Sequence, residues 1–111
     1  MKKLEALIDP LVLRTVKAAL TSDGVIGLTI SEVRTAATGR RTESRRASRY
    51  SVDWSPRIKL ELLVQDDLAD YQIGVIRSSA REGLGTDQNI SIVPIHDVVR
   101  IRTGQHGSEA L

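Results

Sequence analysis

An α+β fold made of two strand–helix–strand units in the order β-α-β-β-α-β is predicted by three observations on this sequence. Apolar and polar residues alternate in four separate runs, as they do in strands buried on one face. The two stretches that open at Asp9-Pro10 and Asp66-Asp67 carry apolar residues at helical spacing. A long segment without any apolar period separates the second and third strands.

The first run, Lys2 to Ile8, puts Leu4 and Ala6 on one face of a strand. Asp9 then serves as a helix cap with Pro10 at the first helical position, where its missing N–H costs nothing. Leu13, Val16 and Leu20, with Val12 and Ala19, form the apolar stripe of that helix, and Asp23-Gly24 ends it. Gly27 to Val33 reads as the second strand. Residues 35–49 hold no periodic apolar residue and read as a long exposed loop, a class that in compact domains usually carries function. Strict alternation resumes from Arg57 to Val64, the third strand, paired with the second. Asp66 and Asp67 suit the positive end of a second helix, with Leu68, Tyr71, Val75 and Ile76 in its buried stripe. Residues 82–87 form a turn-rich loop, Ile90 to Ile95 a fourth strand, and Val98 to Arg102 continues extended. This order is the ferredoxin-like split βαβ pattern.

Composition narrows the chemistry. At 111 residues the chain is a single domain, residues 1–111, with 41% hydrophobic and 27% charged residues. It has no cysteine, so disulfides, thiol catalysis and cysteine-held metal are excluded. His96 and His106 lack an accompanying carboxylate cluster, and no metal site built by the protein is expected; both read as surface or turn residues. No nucleophile–base arrangement is visible, which argues against an enzyme. Apolar runs are strand-sized, with no leader or membrane span in sight, so a cytoplasmic protein without membrane insertion is expected.

Charge is distributed unevenly. The net charge is +2, yet residues 40–49 alone sum to +4 through five arginines against Glu43, leaving −2 for the other 101 residues. That basic segment is either a solvated loop or a contact for the acidic face of a protein target. Nucleic acid is disfavoured as a partner, because aromatics are only 3% of residues and no groove-reading architecture accompanies the charge.

Near the C-terminus stands Arg100-Ile101-Arg102-Thr103-Gly104. In an extended strand Arg100 and Arg102 would project together, with Ile101 in the core. Paired guanidinium groups suit a polyphosphate, which they bind bidentately. The alternative is a solvated edge strand.

Four blocks carry a resemblance across nearly the whole chain: Met1 to Pro10, Gly27 to Arg34, Val52 to Glu61, and Val99 to Gly104. In order and spacing they resemble the PII signal-transduction family. The resemblance implies a homotrimer that binds ATP, ADP or AMP in clefts between subunits and acts on a protein target through a long T-loop, here about residues 36–52. It implies a phosphate-cradling B-loop at about 82–89 and a functional C-terminal segment at about 100–111. Arg100 and Arg102 match the family's phosphate-binding arginines, Thr29 and Glu61 match positions near the adenine, and Gly83, Gly85, Thr86 and Asp87 fall in the B-loop. Ser48 and Tyr50 stand where relatives are phosphorylated or uridylylated, although each is also ordinary for its place. Modification there would add negative charge inside an arginine cluster.

The departures matter as much. The family's Gly-Asp-Gly-Lys is here Thr86-Asp87-Gln88-Asn89, so the phosphate-binding lysine is lost, at a cost of about 1.5–3 kcal/mol. The base of the T-loop, Thr35 to Arg41, lacks the glutamine that helps relatives hold Mg-ATP with 2-oxoglutarate. Arg57 replaces a lysine that pairs with that effector's carboxylate. These changes point to a divergent PII-like member, of the carboxysome-associated branch that responds to bicarbonate, with Arg57 as effector-anion residue. The first rival is a nitrogen-regulatory PII protein sensing ATP/ADP and 2-oxoglutarate to control ammonium transport or glutamine synthetase. The remote rival is a small ferredoxin-like enzyme such as an acylphosphatase, which needs a Gly-rich turn where Ile8-Asp9-Pro10 stands. Neither the preferred nucleotide nor a role for Mg²⁺ follows from the residues.

Overall fold

The computed structural model describes residues 1–25, 27–37 and 53–111. Along the chain run β1 (Lys2–Ile8), a single 3-10 turn (Pro10–Val12), α1 (Leu13–Ser22), β2 (Thr29–Ala37), β3 (Asp53–Val64), α2 (Asp66–Ser79), β4 (Asn89–Pro94) and a terminal 3-10 turn (Gly107–Ala110). The sheet order is β2-β3-β1-β4, and every neighbouring pair is antiparallel. This is the ferredoxin-like α+β architecture that the alternation predicts.

The period of two in β1 and β3 decides where the core lies. Leu4, Ala6 and Ile8 stand opposite Leu62, Leu60 and Ile58, and all six are buried beneath the helices. Val12 from the 3-10 turn and Val16 and Leu20 from α1 close the layer, with Ala69, Ile76 and Ala80 from α2 and its end. Among the described residues the core contains no aromatic side chain, in keeping with a composition of 3% aromatics. On the opposite face of the sheet, Glu5 stands directly across from Glu61. Lys3 neutralises this like-charged pair, reaching Glu5 at 2.8 Å and Glu61 at 3.4 Å.

Several expectations shift. The second strand begins at Thr29 rather than Gly27 and runs on to Ala37, while the third begins four residues early, at Asp53. The ladder pairs Thr35 with Ser55 and Ala37 with Asp53, so backbone pairing carries the hairpin past the last apolar alternation. Pro56 is tolerated in β3 because β1 has already ended at the Ile8–Ile58 pair, leaving that side of the strand open. The remainder of the predicted 36–52 loop, with Ser48 and Tyr50, lies outside the described residues.

The stripe of α2 agrees at Val75 and Ile76, which pack into the core, and is turned by one position before them. Leu68 and Tyr71 are exposed, and Ala69, Gln72 and Ile76 are buried. The pairs Leu68–Tyr71 and Ala69–Gln72 both satisfy helical spacing, so periodicity alone cannot choose between them. Small Ala69 faces the packed layer, and the Tyr71 hydroxyl instead donates to Asp23 Oδ1 at 3.0 Å.

The C-terminal expectation is overturned. Val98 to Arg102 is not an extended strand: only Val99 forms a bridge, with His106, and the residues between them make a turn. Gly104, at φ +75°, supplies a left-handed backbone that a side chain would resist. The turn is closed by Gly104 N–H donating to Arg100 O at 2.8 Å and Arg100 N–H donating to Gln105 O at 2.9 Å. Ile101 is fully exposed rather than in the core, so the reasoning that aligned Arg100 with Arg102 along a strand does not hold.

Candidate functional site

Two straps hold the 82–88 loop against the rest of the molecule. The first is Asp9, buried at the end of β1. Its Oδ1 accepts from Leu11 N–H at 3.2 Å, the capping bond expected of Asp before Pro, and its Oδ2 accepts from Leu84 N–H at 2.6 Å. Gln88 returns the contact, its Oε1 accepting from Asp9 N–H at 2.9 Å. Donation from the Leu84 and Leu11 amides holds the Asp9 carboxyl below its ordinary range. A side chain at Gly83 would meet the Gln88 amide and displace it from its bond to Asp9.

The second strap is Asp87. Arg57, on β3, donates to its carboxylate from Nε at 3.1 Å to each oxygen and from Nη2 at 2.8 Å to Oδ1. Thr35, on β2, donates its hydroxyl to Oδ2 at 3.1 Å. Arg57 Nη1 donates to Pro56 O at 2.9 Å, which fixes the plane of the guanidinium. The Arg57 guanidinium, then Thr35, hold the Asp87 carboxyl below the usual carboxylate range, and Asp87 in turn raises the Arg57 pKa. Gly85, at φ +94°, leaves room for this pair: a Cβ there would collide with Arg57 Nη2. Beside Arg57 opens a cleft of about 560 Å³ lined by Pro10, Glu32, Val33, Arg34, Pro56, Arg57 and Ile58. Trp54 is half exposed at the root of the hairpin, with the Arg34 guanidinium 5.4 Å from its ring centroid.

The structure thus gathers Gly85, Asp87 and Arg57 into one junction and adds Thr35, Asp9 and Gln88, which the sequence reading did not assign to a site. Asp9-Pro10 was legible as a cap; its second role depends on a loop 75 residues away. Thr29 and Glu61 sit opposite each other on β2 and β3. Arg100 and Arg102 stand apart. Arg100 Nε donates to Ala110 O at 2.6 Å, and among the described residues no hydrogen bond or ion pair joins either arginine to the 82–89 loop. Their hairpin is pinned by Asp97, whose Oδ2 lies 2.8 Å from His106 Nδ1 and whose Oδ1 accepts from Gly107 N–H at 3.0 Å. Among the described residues, no group of acids and histidines is placed to hold a metal ion, and no helix is long and apolar enough to cross a membrane.

A strapped loop facing the root of a long hairpin, on a ferredoxin-like sheet, is accompanied by a family match. The family model described as Nitrogen regulatory protein P-II matches residues 1–105. The chain belongs to the P-II family. Members are regulatory proteins rather than enzymes, which removes the acylphosphatase alternative. The chain is 43% identical over 114 aligned residues to the nitrogen regulatory protein P-II of Microchaete diplosiphon, with all of both chains covered. It is 40% identical to that of Azospirillum brasilense over the same span and coverage. Among solved structures, the crystal structure of Arabidopsis thaliana PII bound to citrate is similar at TM-score 0.78 and 30% identity, covering 99% of this chain and 91% of that one.

Proposed function

We propose that this P-II chain is a cytoplasmic sensor that binds adenine nucleotides (ATP, ADP or AMP) in clefts between three copies of itself. In this reading a small anion, bicarbonate, binds at Arg57, and the state of the site reaches a protein target through the 36–52 loop. The observation that carries the reading is the junction itself. Asp87 and Gly85 of the 82–88 loop meet Arg57 and Thr35 at the root of the hairpin, so a ligand on the loop and a ligand on the hairpin share one set of contacts.

Gly83, Gly85, Thr86 and Asp87 lie along the nucleotide's phosphates, Thr29 and Glu61 lie near its base, and a neighbouring copy supplies Arg100 and Arg102. The exposed turn bearing Ile101 supports that last assignment, because a fully exposed isoleucine between two arginines suits a surface that another copy covers. The citrate in the Arabidopsis relative supports a small oxyanion as ligand. A second reading, ATP/ADP with 2-oxoglutarate in nitrogen control, is favoured by the names of the relatives. Calorimetric titration of ADP alone, with bicarbonate, and with 2-oxoglutarate separates the two. Bicarbonate should tighten or weaken ADP binding; a strong 2-oxoglutarate effect with no bicarbonate effect overturns the first reading.

A further inference from the structure

We propose that Asp87 is the resident occupant of the Arg57 anion site, and that a small oxyanion works by displacing it, which releases one of the two straps on the 82–88 loop. The proposal rests on the reading of Arg57 as an effector site and adds how that site is regulated.

The contacts between Arg57 and Asp87 are those an external carboxylate or bicarbonate would make. Two oxygens face the Nε and Nη2 edge of a guanidinium whose Nη1 is already committed to Pro56 O. The two partners differ in exposure: the Arg57 side chain is 12% exposed and that of Asp87 is 39% exposed. The cation is therefore set in the fold, and the carboxylate is the member free to leave. Thr35 Oγ1 donates to the same carboxylate, so a displacing oxyanion inherits a prepared hydroxyl donor as well as the guanidinium edge. Binding without displacement would place two negative groups on one cation at contact distance, which like-charge repulsion opposes. Gly85 is shaped around this pair, so releasing Asp87 also releases the segment that carries it. Asp87 acts as a tethered competitor. Its removal should tighten binding of an external anion by about five- to tenfold, the factor that corresponds to the roughly 1–1.5 kcal/mol of a partly exposed charge-assisted pair.

The test compares the full-length chain with Asp87→Asn, which keeps the shape and removes the charge. Sodium bicarbonate is titrated without nucleotide and followed by Trp54 fluorescence, since Trp54 stands on β3 three residues before Arg57. Asp87→Asn should bind about five- to tenfold tighter than the parent, consistent with loss of the tethered competitor. Adding Arg57→Gln to it should abolish the gain. Equal affinity in parent and Asp87→Asn overturns the displacement while leaving the effector site in place. Binding by neither removes the site, and the proposal with it. A second measurement needs no variant: hydrogen exchange of amides 83–88 in the parent protein should accelerate as bicarbonate saturates. An unchanged exchange rate under bound bicarbonate overturns the proposal even if Asp87→Asn does not fold.

Discussion

Removing Arg57 and Asp87 singly and together measures how much the junction contributes to the fold. The perturbation is Arg57→Ala, Asp87→Ala and the double variant, each unfolded in urea at one protomer concentration so that self-association does not distort the comparison. The pair has charge-assisted geometry, with contacts of 2.8–3.1 Å. A fully desolvated bond of that kind contributes about 1.5–3 kcal/mol, whereas exposed ion pairs contribute about 0.2–1 kcal/mol. Arg57 is nearly enclosed, but Asp87 is 39% exposed, so solvent screening discounts the upper figure. The coupling energy expected at neutral pH is about 1–1.5 kcal/mol. Its pH dependence has a definite sign. The folded-state pKa of Asp87 is depressed, chiefly by Arg57, so the contribution is complete above the unfolded carboxylate value of about 3.9 and is lost as pH falls through the depressed folded value. A coupling below about 0.3 kcal/mol, the level at which independent sites add, would refute the account, as would a coupling unchanged at pH 2.

Gly85→Ala should destabilise the chain by about 1–2 kcal/mol or more, since a left-handed backbone penalises any side chain. The new Cβ would also meet Arg57, so chemical denaturation of Gly85→Ala in an Arg57→Ala background should show a smaller loss. At the other end of the molecule, hydrogen bonding to His106 is the main cause that lowers the Asp97 pKa. In a carbon-13 NMR titration the Asp97 carboxyl should therefore titrate below the ordinary carboxylate range, and His106→Ala should return it toward that range. An Asp97 midpoint that ignores the loss of His106 would show that the two groups are not partners in solution.

Much of the fold was legible because its causes are local. Alternation in Lys2 to Ile8 and Arg57 to Val64 places Leu4, Ala6, Ile58, Leu60 and Leu62 on one face, and a strand has no other way to bury them. Asp9-Pro10 announces the 3-10 turn that leads into α1, which itself starts only at Leu13, and Gly-rich residues after the second helix announce a loop. The first turn of the α2 stripe was misplaced because two neighbouring pairs have the same spacing and Leu68 and Tyr71 looked the more apolar choice, whereas Ile76 is buried and Val75 packs against the core as expected. The Arg100 to Arg102 segment failed because alternation in so short a run also fits a turn. The glycines at 104 and 107, both with positive φ, decided for the turn.

The site divides along the same line. The resemblance in sequence implied that Arg57 and Asn89 stand where the family carries lysines, with Asp87 retained between them. Residue types could not show that Arg57 already holds a carboxylate, because Arg57 and Asp87 are 30 residues apart, and Thr35 and Asp87 are 52. Nor could they show Asp9 reaching across the molecule to Leu84. Capping, alternation and turn chemistry act over a few neighbouring residues and are written in order along the chain. An ion pair between distant segments exists only once the sheet has set β3 beside β2 and brought the 82–88 loop to their edge.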